Sequence, residues 1–210
     1  MHTLNAIGEV VLHCLGGYGV CVTSPSAGDL ARRVLTPVSV GPSADMYPLW
    51  SRDGRRIAFS AGRNGTKNIY LQNADGTGTA ERLTGGGRPQ FPLAFTADDR
   101  GLLLHEPNAS PYDLGFADLA RNKPSELILH ATYNESNGAL SSDGKWLTYQ
   151  SNESGQEEVY VRPFPNIETG RWKVSTGVGR GRCGTGTDGN CSTTFRRGRY
   201  SRSRFVKEAR

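Results

Sequence analysis

A repeat of 45 residues restricts the fold of this chain more than any other feature of its sequence. Three ten-residue segments align without gaps, and each begins with an apolar residue and carries an aspartate at its fourth position. The leading residues are Trp50, Phe95 and Leu140, and the aspartates are Asp53, Asp98 and Asp143. Successive aspartates are 45 residues apart each time, so we interpret the segments as equivalent parts of three structural units.

Each unit is predicted to consist of four short β-strands. Alternating runs such as 57–59 follow the aspartate and are bounded by Gly, Asp and Asn, which is the pattern of strands joined by tight turns. Gly54 and Gly144 directly follow two of the aspartates, and glycine adopts positive φ at little steric cost. Aspartate in such a turn accepts hydrogen bonds from backbone amides just ahead of it. We therefore assign seven structural turn and repeat anchors: Trp50, Asp53, Gly54, Phe95, Asp98, Asp143 and Gly144.

A four-stranded unit of this length, repeated and joined by short turns, is typical of one β-propeller blade. A blade cannot bury both of its faces until neighbouring blades stack on it. The predicted fold class is therefore all-β, a partial and open β-propeller of about three four-stranded blades with incomplete edges. The blades are expected at about 46–84, 90–130 and 136–176, within a propeller region that covers 30–177.

The blade sequences resemble a known family. The stretch from Tyr47 to Ser60, with N-I-Y-L-Q-N-A-D-G-T-G at 68–78, is similar to the blades of TolB and its relatives. The third blade, with Q-S-N-E-S-G at 150–155 and V-Y-V-R-P-F-P at 159–165, resembles a narrower group. These are the propellers that follow the kinase domain of bacterial serine/threonine protein kinases of eukaryotic type. Asp99 stands where the family has glycine, so we expect the second turn to be distorted.

Motifs for catalysis are missing from the chain. It has no strand lysine with H-R-D and D-F-G, as a protein kinase requires, and no G-x-S-x-G, as a serine peptidase of the prolyl-oligopeptidase kind requires. The glycine run at 85–87 does not lie between a strand and a helix, so it is interpreted as a loop and not as a phosphate site. We predict that the chain is not an enzyme and has no catalytic residue.

Residue types that bind metals are present but scattered. The four histidines (His2, His13, His105 and His130) are better explained as ordinary packed or exposed side chains than as ligands. The four cysteines (Cys14, Cys21, Cys183 and Cys191) lack the two-residue gap of zinc and redox pairs. The repeat aspartates could lie on one rim of a ring, but each is required by its own turn. We predict no metal site and no cofactor.

The basic character of the chain belongs to its C-terminal part. Residues 178–210 carry nine basic and two acidic side chains, so the first 177 residues have a net charge of −2 within a total of +5. The first 177 residues therefore lack the excess of positive charge that binds a polyanion, and no specific nucleic-acid binding is expected.

Both ends depart from the repeat. Residues 1–29 have one faint apolar strand at 10–12 and are left unassigned, as a possible remnant of a preceding blade. A fourth turn is due near Asp188, yet its surroundings lack the leading aromatic residue and the following apolar strand. If the reading frame is moved by one base, each new codon joins the third base of one codon to the first two bases of the next. This change of frame can restore the blade sequence P-L-W-x-R-D-G-R there. We therefore interpret 178–210 as an irregular Arg/Gly-rich tail translated out of frame.

No run of eighteen apolar residues is present, so no transmembrane segment is predicted, and the N-terminus has no clear signal peptide. The expected location is a bacterial periplasm, another extracytoplasmic space or the cytoplasm. The predicted function is that of a non-catalytic interaction or sensor module, which binds an unknown protein, peptide or small ligand on a propeller rim. The alternative is an accessory propeller of a serine/threonine kinase, or of a prolyl-oligopeptidase-like peptidase, whose catalytic domain is missing.

Overall fold

The computed structural model describes residues 2–4, 10–13, 19–23, 36–40, 45–107, 111–121, 124–175, 183–185 and 191–193. Within these ranges the chain forms β-strands and one short 3₁₀ helix, Ile167–Thr169. The prediction of an all-β fold is therefore confirmed. Among the same residues there is no helix that is long and apolar enough to cross a membrane.

The first sheet lies in a part of the sequence that the repeat does not mark. Its four antiparallel strands follow the chain in order: β1 His2–Leu4, β2 Val10–His13, β3 Gly19–Thr23 and β4 Thr36–Val40. Within residues 1–29 the sequence pattern predicts one faint strand, at 10–12. The other strands were missed because no Asp-Gly turn separates them, and short strands without that signal are hard to recognise.

The next three sheets have the same four-stranded antiparallel order along the chain. The second sheet comprises β5 Asp45–Trp50, β6 Arg56–Asn64, β7 Thr66–Asn73 and β8 Glu81–Arg82. The third comprises β9 Phe91–Phe95, β10 Gly101–Pro107, β11 Tyr112–Asp118 and β12 Glu126–Leu129. The fourth comprises β13 Glu135–Leu140, β14 Trp146–Ser151, β15 Glu158–Pro163 and β16 Trp172–Lys173.

Two more strands follow in the segment that was expected to be irregular. Strands β17 Cys183–Thr185 and β18 Cys191–Thr193 pair with each other in antiparallel fashion. They fall one 45-residue period after 138–140 and 146–148, which belong to β13 and β14. Backbone pairing needs no particular side chain, so the period continues here even where the blade motif fails. The rest of the tail, including its proposed change of frame, lies outside the described residues.

The chain divides into two compact units. The first contains Met1–Asn108 with Gly115–Glu126, and the second contains Ala109–Leu114 with Leu127–Arg210.

The core of the first unit has two parts because side chains alternate along each strand. On β6, Ile57, Phe59 and Ala61 join one buried cluster with Trp50 and Tyr70. Residue Ala58, between them, belongs to the other cluster. There it packs with Ile69 of the same sheet and with four residues of the third sheet: Phe95, Leu102, Leu104 and Ala117. The second and third sheets therefore stack face to face, as adjacent blades do.

A stacked aromatic pair recurs in the buried part of both units. On β14 and β15, Tyr149 and Tyr160 are directly opposite and their rings stack at 5.7 Å. The rings of Phe59 and Tyr70 stack in the same way at 6.1 Å in the second sheet. Each of these four residues is buried. Burying an aromatic side chain stabilises the fold by roughly 1.5–3 kcal/mol, so the pair is a major contribution in each sheet.

Candidate functional site

The repeat aspartates are held in three turns of one geometry. In the first turn, Asp53 accepts a hydrogen bond from the Ser51 hydroxyl at 2.7 Å and another from the backbone N–H of Arg55 at 3.0 Å. The second turn has the same two bonds, from Thr96 at 2.6 Å and Arg100 at 3.1 Å, to Asp98. The third has them from Ser141 at 2.6 Å and Lys145 at 3.1 Å, to Asp143. Each carboxylate is therefore engaged within its own turn.

These bonds favour the ionised form of each aspartate. The hydroxyl donor and then the backbone donor hold the pKa of Asp53, Asp98 and Asp143 below the ordinary value, in each case with the hydroxyl as the larger cause. A general acid or base at neutral pH needs the opposite shift, toward 7. The turn chemistry therefore supports a structural role for these carboxylates.

The expected distortion of the second turn is wrong. Gly54 and Gly144 have φ values of 70° and 68°, and Asp99 occupies the same left-handed region at 55°. Its N–H bonds to the carbonyl of Thr96 at 3.1 Å, as the N–H of Gly54 bonds to that of Ser51 at 3.1 Å. Aspartate tolerates the left-handed region better than most residues, so the turn keeps its register.

Other expected anchors and histidines have ordinary surroundings. Trp50 and Phe95 are buried, each in one of the two core clusters of the first unit. Burial lowers the pKa of His105, so this side chain is neutral at pH 7. Among the described residues no group of three His, Cys, Asp or Glu side chains could hold a metal ion. The structure describes the backbone alone at His2 and His13, while Cys14 lies outside the described residues.

The first unit also contains a cluster of aromatic and basic side chains that the sequence pattern does not predict, of which Tyr47 is exposed and the others are half-buried. We define the rim cluster as Met46, Tyr47, Lys67 and Phe91. Tyr47 is 45% exposed, and its ring meets the edge of Phe91 at a centroid distance of 4.7 Å. The Lys67 ammonium donates to the sulfur of Met46 at 3.1 Å and lies 5.9 Å from the centre of the Phe91 ring. Such a position over a ring is weakly attractive for a cation.

The backbone at Tyr47 is unusual for an aromatic residue. Its φ is 55°, beside an irregularity in the pairing of β5 with β6 between Met46 and Leu49. Asn137, two repeat periods later, has φ 53° beside the same irregularity in β13. A left-handed residue thus recurs at this position in the second and fourth sheets, and asparagine tolerates the conformation better than tyrosine. The choice of tyrosine at position 47 is therefore not explained by the backbone.

Two further ion pairs lie in the first unit. Arg63 lies 4.7 Å from the centre of the Tyr70 ring and pairs with Asp45 at 3.6 Å. Arg88 lies 3.8 Å from Glu106, whose other oxygen accepts a hydrogen bond from Gln90 at 3.0 Å. The backbone N–H of Gln90 bonds to the carbonyl of Lys67 at 2.8 Å, which joins the loop to the hairpin that carries Lys67. The rim cluster itself therefore combines two aromatic rings with one basic side chain, that of Lys67.

Comparison with known proteins finds similarity in structure alone. No protein-family model and no curated protein sequence matches the chain. A putative TolB from Agrobacterium tumefaciens aligns with a TM-score of 0.75 and 16% identity, over 92% of this chain and 69% of that chain. TolB from Acinetobacter baumannii aligns with a TM-score of 0.65 and 18% identity, over 91% of this chain and 49% of that chain.

A puromycin-hydrolyzing peptidase from Mycobacterium tuberculosis also aligns, with a TM-score of 0.70 and 12% identity, over 92% of this chain and 33% of that chain. The chain thus spans about one third of the peptidase and about half of the second TolB. Identities this low establish the fold alone. Together with the four-stranded antiparallel sheets, they establish that the chain is a partial β-propeller with the fold of TolB.

Proposed function

We propose that the chain is a non-catalytic binding module that captures a peptide segment of a partner protein on the rim cluster. The observation that carries the proposal is Tyr47, an exposed aromatic side chain in a left-handed backbone conformation. Because Asn137 has the same backbone conformation two periods later, what distinguishes this position is the exposed aromatic side chain of Tyr47. Tyrosine is among the residue types that contribute most at protein interfaces.

The chemistry of the surface indicates the class of peptide. The rings of Tyr47 and Phe91 offer contact area for an apolar side chain of the partner. The Lys67 ammonium favours a carboxylate next to that side chain. We therefore expect an acidic segment with an aliphatic or aromatic anchor, and binding that weakens as the salt concentration rises.

The test is to select peptides from a phage-displayed library on the immobilised full chain. Enriched peptides should carry an apolar anchor beside Asp or Glu. The decisive variant is Tyr47→Asn, which copies Asn137 of the fourth sheet and so suits the backbone. We expect peptide affinity to fall at least about tenfold, the effect of removing one interface anchor, while the chain stays folded.

The matched control is Tyr133→Ala, which removes an exposed aromatic side chain from the second unit. It should leave peptide affinity unchanged. The proposal fails if no peptide is enriched, or if the selected peptides bind Tyr47→Asn as tightly as the original chain.

A second candidate is an accessory propeller of an enzyme, and one comparison favours it. Similarity to the M. tuberculosis peptidase supports attachment to a hydrolase, whereas V-R-P-F-P at 161–165 supports the kinase-linked group. Sequencing the DNA on either side of the coding region is the test. A kinase or peptidase domain in the same frame supports this candidate, and stop codons close to both ends contradict it.

A further inference from the structure

A buried amide group in the first unit has one atom without a hydrogen-bond partner. The side chain is that of Gln90, which is 3% exposed. Its Nε2 donates to a carboxylate oxygen of Glu106 at 3.0 Å and to the hydroxyl of Ser125 at 3.2 Å. Its Oε1 is buried, and among the described residues nothing donates a hydrogen bond to it. Buried polar atoms in folded proteins nearly always have such a partner, so this oxygen requires an explanation.

The neighbours of the amide decide which of its two ends is left over. The nitrogen carries two hydrogens, and Glu106 and Ser125 accept both. Turning the amide by half a turn would place its oxygen against the Glu106 carboxylate, where two acceptors would face each other. The atom without a partner is therefore the oxygen, and a group that binds to it must be a donor.

The backbone of Gln90 holds the amide in place. Its N–H bonds to the carbonyl of Lys67 at 2.8 Å, and its carbonyl accepts from the hydroxyl of Ser60 at 2.8 Å. These two bonds tie the residue to β6 and β7 of the second sheet. An acceptor that is fixed in advance binds a ligand at a lower entropic cost.

The glycine run at 85–87 adjoins this amide. A Cβ atom on Gly86 would lie 3.8 Å from Nε2 of Gln90, and one on Gly87 would meet nothing within 4 Å. All three glycines are exposed. The loop therefore approaches the amide with backbone alone, and glycine changes its conformation at little steric cost.

A carboxylate lies beside the unpartnered oxygen. The side chain of Glu106 is 15% exposed, and Arg88, which is 48% exposed, approaches its second oxygen to 3.8 Å. That distance is longer than a hydrogen bond, so the Glu106 oxygen that faces Arg88 keeps the capacity to accept one. An anion next to an open acceptor favours a ligand that is both a cation and a hydrogen-bond donor.

We propose that Gln90, Glu106 and Ser125 form a binding site for a primary ammonium group, which we call the amide site. The ammonium donates one hydrogen bond to the Gln90 oxygen and another to the Glu106 carboxylate. The Ser125 hydroxyl keeps the amide in the orientation that this requires. The loop at 85–87 opens to admit the group. A primary ammonium has three N–H donors on one small atom, which suits acceptors that lie close together.

Two kinds of ligand carry this group: a free polyamine and the lysine side chain of a partner protein. The chemistry of the amide site is the same for both. Binding here goes beyond peptide binding on the rim cluster and does not depend on it.

Isothermal titration calorimetry of the full chain at low salt tests the proposal, with putrescine as the probe. We expect saturable binding. The matched compound is fully methylated putrescine, in which both nitrogens keep their charge but have no N–H. It should bind at least about tenfold more weakly, because it cannot make hydrogen bonds to the charged and amide oxygens.

A lysine derivative with both backbone ends blocked separates the two sources. Affinity equal to that of putrescine would assign the amide site to a lysine side chain. Binding of putrescine alone would assign it to a free polyamine. Either result supports an ammonium site.

Glu106→Gln is the decisive variant, because it keeps an oxygen that accepts from Gln90 and removes the charge. It should bind putrescine at least about tenfold more weakly, with an unchanged circular dichroism spectrum. Glu81→Gln is the matched control, since it makes the same charge change at an exposed position of the same unit and should bind as the original chain does. Ser125→Ala serves if Glu106→Gln does not fold. It should also weaken binding, because the amide loses one of the two acceptors that orient it.

Three results would overturn the proposal. The first is no binding of putrescine at low salt, which would mean that solvent alone satisfies the Gln90 oxygen. The second is equal affinity for putrescine and its methylated form, which would mean that charge alone attracts the ligand. The third is a folded Glu106→Gln or Ser125→Ala variant that binds putrescine as tightly as the original chain.

Discussion

The carboxylate of Asp99 accepts a hydrogen bond from the backbone N–H of Arg52 at 2.8 Å, across 47 residues of sequence. Its other oxygen accepts from the N–H of Asp53 at 2.9 Å. A residue in the turn of the third sheet therefore binds the turn of the second sheet with both oxygens. Glycine at this position would suit the backbone better but could not make either bond.

Replacing Asp99 should separate the cost of its left-handed backbone from the stabilisation by its two hydrogen bonds. Asp99→Gly relieves the left-handed backbone but leaves two partly buried amides without their acceptor, and each such loss costs about 1–3 kcal/mol. We expect a net loss of stability, measured as a lower urea midpoint. Asp99→Asn keeps one side-chain oxygen and tolerates the backbone, so it should be intermediate. An unchanged or higher midpoint for Asp99→Gly would show that the bonds between the turns contribute little.

The three repeat aspartates predict a loss of stability in acid. Each has a pKa that is lower in the folded chain than its ordinary value. Their stabilising contribution is present above the unfolded pKa, about 3.9, and is lost as the pH falls through the folded pKa. Ser141→Ala removes the main cause of the shift at Asp143. Urea midpoints at pH 7 and pH 3 should therefore differ less for this variant than for the original chain, and an equal difference would contradict the assignment.

The contribution of Glu135 to stability should depend on pH in the opposite direction. Burial raises its pKa, although the N–H of Ala131 donates to the carboxylate at 3.3 Å and opposes the shift. A raised folded pKa means that the contribution to stability is present at low pH and is lost as the pH rises through the folded pKa. Glu135→Gln keeps an oxygen acceptor and removes the charge. It should unfold at a higher urea concentration than the original chain at pH 8, with a smaller gain at pH 4. A lower midpoint at pH 8 would mean that attraction to Arg162 outweighs burial.

Gly115 occupies a position at which the 45-residue repeat would predict a tyrosine. The equivalent residues in the second and fourth sheets are Tyr70 and Tyr160. A Cβ atom at Gly115 would lie 2.8 Å from Leu104 Cδ1 and 3.1 Å from the carbonyl oxygen of Glu126, which is too close on both sides. Gly115→Ala should lower the free energy of unfolding by about 1–3 kcal/mol through overpacking. Gly87→Ala is the control, since a Cβ atom there meets nothing within 4 Å. Equal urea midpoints for the two variants would refute the prediction.

Several features could be predicted from the sequence because they depend on neighbouring residues. The hydroxyl of Ser51 reaches Asp53 two positions ahead, and the pattern recurs at Thr96 and Ser141, so the turn can be recognised wherever it occurs. Strand alternation after each turn is equally local. These signals were sufficient for the all-β class and the four-stranded blades.

Other features depend on contacts between distant residues. The sequence pattern predicted a distorted turn at Asp99. The aspartate is explained by its hydrogen bond from the backbone N–H of Arg52, and the pattern cannot show that these two residues are close in space. Tyr47 and Phe91 are 44 residues apart, and their contact depends on how the second and third sheets stack. Strands β17 and β18 were missed because backbone pairing leaves little trace in side-chain pattern.

The sequence by itself determined the 45-residue period, the chemistry of each turn and the strands that follow it, because these depend on hydrogen bonds and side-chain alternation over a few residues. The tertiary structure alone decided which blade faces are covered, where Asp99 finds its donors and which aromatic side chains remain in solvent. These outcomes depend on packing between chain segments about one repeat or more apart, and burial there is a property of the assembled sheets.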